Sequence, residues 1–422
     1  MKPLVGETRV PGDKSIAHRA CLVAALAEGE SRVEGFSGGG DNHSTLKVLR
    51  ALGVEVRFDT PTTLLLRGVG LRGLRASGAP LDCGNSGTTL RLLMGVLAGQ
   101  SGHFTLVGDA SLSARPVARV AGPLARLGAR IETPEGDHPP VWVHGGPLRG
   151  AELDTGVPSA QVKSACLFAG LLAEGSTSVR EAVPTRDHTE RMLRRMGVSV
   201  VERSGGLWLT PPDRMVATGF SVPGDPSSAA FFAAAAALVP GSTVSIRGVG
   251  LNPRRLGFFG VLRRMGARVE VDWTTPEAAD VEPVGDLTVS WGGLAGTDIA
   301  PAEVADLVDE LPLFACLAAV AEGPSVVAGA GELRIKESDR IAATGDLLRA
   351  LGADVVDTDD GWRIAGGARL VGAPVAVRGD HRLALCAAVL ARCAVKGIVT
   401  VDTPQVTTVS FPGFLEALER LG

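Results

Sequence analysis

Apolar positions along the chain alternate between two helical patterns. The first is an apolar helix that ends in a basic residue, an apolar pair and a glycine, and runs on into a strand. It reads LRALGVEVRF from Leu49, LARLGARIET from Leu124, LRRMGVSVVE from Leu193, LRRMGARVEV from Leu262 and LRALGADVVD from Leu348, and the chain stops at LERLG from Leu418. The signature glycines Gly53, Gly128, Gly197, Gly266, Gly352 and Gly422 are spaced 75, 69, 69, 86 and 70 residues apart, which marks an internal repeat. Glycine after a helix serves as the residue that enters the left-handed region without a Cβ clash. The second helix type lies between these copies and ends in an acidic or small residue plus glycine before a Ser/Thr/Val strand. Examples are HRACLVAALAEGESRV from His18, VKSACLFAGLLAEGSTSV from Val162 and LPLFACLAAVAEGPSVV from Leu311. Being apolar on nearly all sides, these helices are predicted to be buried. Each unit therefore reads β-α-β-α-β-β, and six units make an α/β (α+β) protein of two three-unit domains, rings of small sheets around buried helices.

The two halves open alike, with RVPGDKSIAHRACLVAAL from Arg9 and SVPGDPSSAAFFAAAAAL from Ser221. Val-Pro-Gly-Asp before a buried helix marks a turn, so hinges are expected near Gly12 and Gly224. One domain then comprises residues 1–12 and 225–422, with the N-terminal strand joining the second half, and the other comprises 13–224.

Composition narrows the function classes. At 422 residues with 45% hydrophobic and 21% charged positions, the chain has ample core and none of the bias of a disordered protein. Forty-two Lys+Arg against 46 Asp+Glu leave a net charge of −4, and aromatics are only 4% with no Tyr. Neither a global basic field nor a base-stacking platform is available, so no nucleic-acid partner is expected. The opening MKPLVGETRV lacks the layout of a signal peptide, and the apolar run Phe231 to Val239 is too short to span a bilayer. Cys21, Cys83, Cys166, Cys316, Cys386 and Cys393 lie mostly in Ala/Leu-rich stretches and read as free core thiols in a reducing cytoplasm. Without a CxxC pair or an HExxH, no metal site is expected.

Candidate chemistry gathers at helix starts. In PGDKSIAHR, Ser15 is a candidate N-cap, Lys14 stands at the cap and Arg19 lies four residues on, on the same face. In LDCGNSGTTLR, Asn85 or Ser86 can cap while Gly87 lets backbone amides approach a ligand. PSAQVKS offers Ser159 and Gln161, PTRDHTE offers Arg186, and Arg115 precedes a proline at a helix start. Any one of these alone reads as an ordinary capping residue. Several cations at helix starts oppose the macrodipole, however, and together they favour a phosphate- or carboxylate-binding site. In the second half, ELRIKESDR places Lys336, Glu337 and Arg340 in one patch if the segment is helical. DLVDELP sets Asp309 and Glu310 before a buried helix, and RGDHRLAL places Arg382 likewise. Gly12-Asp13-Lys14-Ser15 fails the P-loop pattern and Gly248-Val249-Gly250 fails the dinucleotide fingerprint, so ATP and NAD are not implied.

In this order PGDKSxxHR, GNSGTTxR, SAQVKS, RDHTE, RIKESDR and DHRLA resemble the motifs of the 5-enolpyruvylshikimate-3-phosphate synthase family over the whole chain. The resemblance implies a two-domain inside-out α/β barrel with pseudo-threefold symmetry in each domain. It implies transfer of the enolpyruvyl group of phosphoenolpyruvate to the 5-hydroxyl of shikimate 3-phosphate, releasing phosphate, on the route to chorismate and aromatic amino acids. It carries Lys14, Asn85, Gly87, Arg115, Gln161, Arg340 and Arg382 to the phosphoenolpyruvate pocket. Lys14, Ser15, Arg19, Ser159, Ala160 (through its backbone), Gln161, Arg186, Asp309 and Lys336 go to the shikimate 3-phosphate site. Asp309, assisted by Lys336, takes the hydroxyl proton; Glu337 donates to the methylene carbon; Lys14 holds both anions. The resemblance further implies a cytoplasmic monomer without cofactor, a cleft closed by the phosphorylated substrate, and inhibition by glyphosate. The chain departs from the commonest pattern with Ala160 for Ser, His18 for Asn and Val409 for Lys.

Two rivals are weaker. A UDP-N-acetylglucosamine enolpyruvyl transferase has a reactive cysteine near the Arg115 region, where DASLSARP has none, and Lys-Asn where this chain has Lys14-Ser15. An RNA-end-binding repeat protein is disfavoured by neutral charge and scarce aromatics.

Overall fold

A computed structural model describes residues 2–76, 78–134, 136–278 and 280–422. The chain divides into two compact units. The N-terminal unit comprises Gly12–Val222 with Glu277–Glu282, and the C-terminal unit comprises Met1–Pro11, Pro223–Pro276 and Pro283–Gly422.

Among the described residues, six helices of eight or more residues belong to the N-terminal unit: α1 (Lys14–Ala25), α2 (Gly40–Ala51), α3 (Gly87–Ala98), α4 (Ala118–Ala125), α5 (Ala160–Gly170) and α6 (His188–Arg195). Six more belong to the C-terminal unit: α7 (Pro226–Leu238), α8 (Gly257–Arg264), α9 (Leu311–Val320), α10 (Arg340–Ala350), α11 (His381–Ala391) and α12 (Phe414–Leu421). The odd-numbered helices are the all-apolar type and form the core of their own unit; every residue of α7 is buried. Completely burying Phe168 in α5 or Phe314 in α9 contributes about 1.5–3 kcal/mol each.

The three four-stranded sheets of the N-terminal unit share one topology: a short edge strand parallel to its neighbour, then two antiparallel strands, of which the later in sequence lies next to that neighbour. The first has Phe220–Ser221, Glu28–Glu34, Thr63–Val69 and Glu55–Thr60 in spatial order. The second has Leu81–Asp82, Gly102–Val107, Val141–Gly145 and Arg130–Glu132. The third has Glu152–Asp154, Thr177–Arg180, Gly206–Thr210 and Ser199–Arg203. In the C-terminal unit, Val5–Arg9, Thr243–Gly250, Val284–Ser290 and Arg268–Thr275 repeat the pattern. Ser325–Val327, Gly361–Ile364 and Val355–Thr358 repeat it again, with an isolated parallel bridge from Ile299 to Val327 in the edge position. In the sixth copy the described residues form the parallel pair Pro374–Val375 and Thr400–Val401, with α12 following it. The two chain crossings exchange edge strands. Val5–Arg9 precedes α1 yet pairs with Thr243–Gly250, and Phe220–Ser221 precedes α7 yet pairs with Glu28–Glu34.

The signature acquires a structural reason. Gly53, Gly128, Gly197, Gly266 and Gly352 all have φ between +81° and +111° and turn the chain from helix into strand. The basic residue three positions earlier reaches the carbonyl six residues on: Arg50 bonds Val56 O at 3.0 Å, Arg194 bonds Val200 O at 2.7 Å, Arg263 bonds Val269 O at 2.8 Å and Arg349 bonds Val355 O at 3.1 Å. The guanidinium thus ties the helix end to the strand it feeds. The second copy has Ala125 at that position.

No helix among the described residues is long and apolar enough to cross a membrane. All six cysteines are free, five of them buried and Cys393 partly so.

Candidate active site

The start of α1 differs from expectation in its cap. Asp13, not Ser15, accepts the Ile16 N–H at 2.9 Å, since a carboxylate also gains from the positive end of the helix. Ser15 is left free for other work. Its Oγ accepts from Arg186 Nη1 at 3.4 Å and its carbonyl accepts from Arg19 Nη1 at 3.0 Å. Lys14 Nζ lies 2.8 Å from Asp41 Oδ2, and Asn42 Nδ2 donates to the Lys14 carbonyl at 3.1 Å. Arg19 is buried, yet its fork bonds Thr189 Oγ1 at 2.9 Å, Ser164 Oγ at 3.0 Å and the Ala160 carbonyl at 3.4 Å. Ser159 takes the N-cap position of α5 without a side-chain cap bond. Ser15, Arg19, Ala160 and Arg186 therefore come together around the starts of α1, α5 and α6.

A second group forms at the start of α3. Of the two candidate caps, Ser86 accepts the Thr89 N–H at 3.1 Å. Asn85 instead accepts from Arg115 Nη2 at 2.7 Å and donates to Asp109 at 2.9 Å. Asp109 in turn caps the short turn Ala110–Ser113, and Ser111 Oγ accepts from Arg115 at 3.1 Å. Gly87 opens α3 so close to the guanidiniums that a Cβ there would lie 2.7 Å from Arg91 Nη1 and 3.3 Å from Arg115 Nη1. Arg91 Nη1 donates to Gln161 Oε1 at 2.9 Å, and Gln161 Nε2 donates to Thr88 Oγ1 at 2.9 Å. Arg91 was not anticipated. It lies four residues after Gly87, hence on its helix face, and that spacing was the available signal.

Behind both groups runs a buried polar chain. His18 Nδ1 contacts Thr45 Oγ1 at 2.7 Å, Thr45 contacts Thr89 Oγ1 at 2.7 Å, and Thr89 donates to the capping Ser86 at 2.8 Å. Burial lowers the His18 pKa to about 3, outweighing the neighbouring Asp41 carboxylate, so the imidazole is neutral.

In the C-terminal unit the Lys336–Glu337–Arg340 patch is not one helix face. Residues Gly331–Ile335 form a 3-10 turn, Lys336 is extended, and α10 begins only at Arg340. Asp339 stops the earlier turn from continuing by capping α10, accepting the N–H groups of Ile341 and Ala342 at 3.1 Å each. The charges consequently separate: Lys336 pairs with Glu332 at 2.7 Å, while Glu337 pairs with Arg340 at 2.6 Å. Arg340, only 1% exposed, also meets Asp380 at 2.8 Å and Asp309 at 3.8 Å. Burial opposes its charge, but Asp380, Glu337 and Asp309 more than offset this and raise its pKa. Arg382, second residue of α11, donates to the Asp309 carbonyl at 3.0 Å and lies 3.8 Å from its carboxylate. Glu310 accepts from Ser227 and lies 3.6 Å from Arg382; burial pushes its carboxyl pKa up despite Arg382 and Arg255. Asp309, Glu337, Arg340 and Arg382 thus form one network, whereas Lys336 is held by Glu332. Such a network can pass a proton between carboxylates beside fixed cations. Among the described residues no group of three or more His, Cys, Asp or Glu is disposed to hold a metal ion.

The sequence profile of EPSP synthase (3-phosphoshikimate 1-carboxyvinyltransferase) matches residues 1–418. The chain belongs to the EPSP synthase family. It is 48% identical over 412 residues to a 3-phosphoshikimate 1-carboxyvinyltransferase of Xanthomonas campestris pv. campestris, covering 97% of this chain and 93% of the relative. Identity to the enzyme of that description from Limosilactobacillus fermentum is 47% over 423 residues, covering 99% and 97%. An EPSP synthase structure from Acinetobacter baumannii superposes with a TM-score of 0.86 at 40% identity, covering 100% of this chain and 96% of that one. Membership makes the chain an enzyme, a carboxyvinyl transferase of the shikimate route to aromatic amino acids, with the two-domain α/β fold of its relatives.

Proposed function

We propose that the residues grouped above carry enolpyruvyl transfer from phosphoenolpyruvate to shikimate 3-phosphate in the following roles. Ser15, Arg19, Arg186, Ser159, Gln161 and the Ala160 backbone bind shikimate 3-phosphate, with Asp309 and Lys336 facing its ring hydroxyls. Asn85, Gly87, Arg115, Gln161, Arg340 and Arg382 bind phosphoenolpyruvate, whose phosphate and carboxylate suit bidentate guanidiniums. Lys14 serves both anions.

The reaction runs by addition and elimination. Asp309, assisted by Lys336, takes the proton of the 5-hydroxyl as its oxygen bonds to C2 of the enol. Glu337 gives a proton to C3, which becomes a methyl group, and C2 becomes tetrahedral. Loss of a methyl proton then restores the double bond as the C2–O bond to phosphate breaks. The steps need proton transfer and cationic stabilisation, which carboxylates beside arginines supply. Because a C–O bond breaks, the phosphoryl-transfer role of a bridging divalent ion does not arise.

The observation that supports this reading is the contact of Arg340 with Glu337 at 2.6 Å, a carboxyl group beside a buried guanidinium. The test is the reaction in deuterium oxide. The reading predicts deuterium at C3 of the product's enolpyruvyl group, lost in Glu337→Gln; turnover without exchange at C3 contradicts it. Free, mostly buried thiols and a net charge of −4 support a cytoplasmic protein that does not bind nucleic acid, and the family resemblance implies a monomer; a gel-shift assay and light scattering check the two.

A further inference from the structure

One buried charge cluster has no part in the chemistry above. Lys163 lies in α5 among Val162, Ala165, Cys166, Leu167 and Phe168, all buried, and is itself only 2% exposed. Its ammonium lies 2.8 Å from Glu181, 2.8 Å from Glu190 and 3.2 Å from the Thr185 carbonyl. Three N–H donors meet three acceptors. Glu181 is committed in turn: one oxygen accepts the Thr185 N–H at 3.3 Å and the other accepts the Thr185 hydroxyl. One lysine and two carboxylates carry a formal charge of −1 out of water. Apolar side chains of similar volume would stabilise the fold at least as well.

The placement explains what the cluster is for. Each of three members is the chain neighbour of a residue that belongs to the Ser15–Arg19–Arg186 group or is hydrogen-bonded to it. Lys163 precedes Ser164 and Glu190 follows Thr189, and these two hydroxyls, 2.7 Å apart, both accept from Arg19. Thr185 precedes Arg186, whose guanidinium reaches Ser15. One ammonium therefore pins α5, the start of α6 and the loop that delivers Arg186.

We propose that Lys163, clamped by Glu181 and Glu190, is a positioning residue that fixes Arg19 and Arg186 to receive the phosphate of shikimate 3-phosphate. It does not touch the substrate. The inference rests on the reading that Ser15, Arg19 and Arg186 bind that phosphate. A rigid cation pair binds with less loss of side-chain freedom, so loosening the clamp weakens binding while leaving the transfer step intact.

The test uses the full-length enzyme. Lys163→Met leaves two buried carboxylates unpaired, so the neutral triple variant Lys163→Met/Glu181→Gln/Glu190→Gln is made beside it. In either variant the KM for shikimate 3-phosphate is expected to rise at least ten-fold. The kcat with both substrates saturating, and the KM for phosphoenolpyruvate, should stay within about three-fold. If neither variant accumulates folded, Glu181→Gln alone, which keeps Lys163 paired with Glu190, should raise the KM for shikimate 3-phosphate about three-fold. A folded variant with an unchanged KM for that substrate, or with kcat reduced in the same proportion, overturns the proposal. Arg186→Ala separates the two failures: if it too leaves that KM unchanged, the underlying assignment of the phosphate site is wrong.

Discussion

Asp380 joins the two arginines of the C-terminal network. Its side chain is fully buried, one oxygen lies 2.8 Å from Arg340 Nε, and the other accepts the Arg382 N–H at 2.9 Å. Ser338 adds a hydroxyl at 3.0 Å. Burial opposes the carboxylate, but Arg340 holds its pKa below the ordinary value. The same carboxylate therefore starts α11 and aims Arg340. Asp380→Asn keeps an acceptor for the helix cap but removes the charge. Breaking one side of a buried pair costs about 3–5 kcal/mol. We expect a clear fall in Tm and a KM for phosphoenolpyruvate raised at least ten-fold, measured by calorimetry and steady-state kinetics. Unchanged values of both would show that Arg340 is aimed by something else.

Gly87→Ala tests how close the substrate groups come. The new methyl would press on Arg91 Nη1 at 2.7 Å and Arg115 Nη1 at 3.3 Å, both ends of flexible side chains. Alanine also favours a helix over glycine by about 0.8–1 kcal/mol. Stability should change little, while the KM for phosphoenolpyruvate rises several-fold. Glyphosate, a small phosphonate–carboxylate dianion, should compete with phosphoenolpyruvate in the wild-type enzyme and compete less well in the variant. Inhibition curves on both proteins decide it, and a wild-type rate unchanged at millimolar glyphosate refutes the shared pocket.

His18 sets an acid limit on stability. Its folded pKa of about 3 lies below the ordinary 6.5, so between those values the unfolded chain binds the extra proton. The contribution of the neutral imidazole is complete above pH 6.5 and is lost progressively as the pH falls toward 3, by up to about 1.4 kcal/mol per pH unit. Urea unfolding at pH 4.5–7.5 should show a steeper acid loss for the wild type than for His18→Gln. Parallel curves would contradict the burial argument.

The separation of Lys336 from Glu337 predicts two different phenotypes. Lys336 is held by Glu332, and Glu337 by Arg340. Glu337→Gln should lower kcat by about 10²–10⁴ with little change in either KM, as expected for a lost proton donor. Lys336→Met should change the KM for shikimate 3-phosphate as well as kcat. Identical kinetic signatures would mean the two act as one unit.

Much of the architecture was readable because the repeat signature has a local cause. The positive φ of Gly53 and its counterparts, and arginines such as Arg50 and Arg349 tying helix to strand, leave a pattern in the sequence itself. The exchange of edge strands was half-visible, through the matching Val-Pro-Gly-Asp turns, but the grouping of Glu277–Glu282 with the N-terminal unit left no such trace. The candidate residues were legible as types at helix starts. Their partners were not, since Asp41, Asp380, Glu181 and Glu190 are distant in sequence from the cations they hold. Spacing alone also misplaced Lys336 and Arg340 on one helix, because the extended residue between turn and helix is set by the cap at Asp339.

Phosphate release, followed continuously with a coupled assay, addresses the central assignment most directly. The account predicts release only when phosphoenolpyruvate and shikimate 3-phosphate are both present, one phosphate for each enolpyruvyl ether formed. Release from phosphoenolpyruvate alone, or turnover sustained when UDP-N-acetylglucosamine replaces shikimate 3-phosphate, would contradict it.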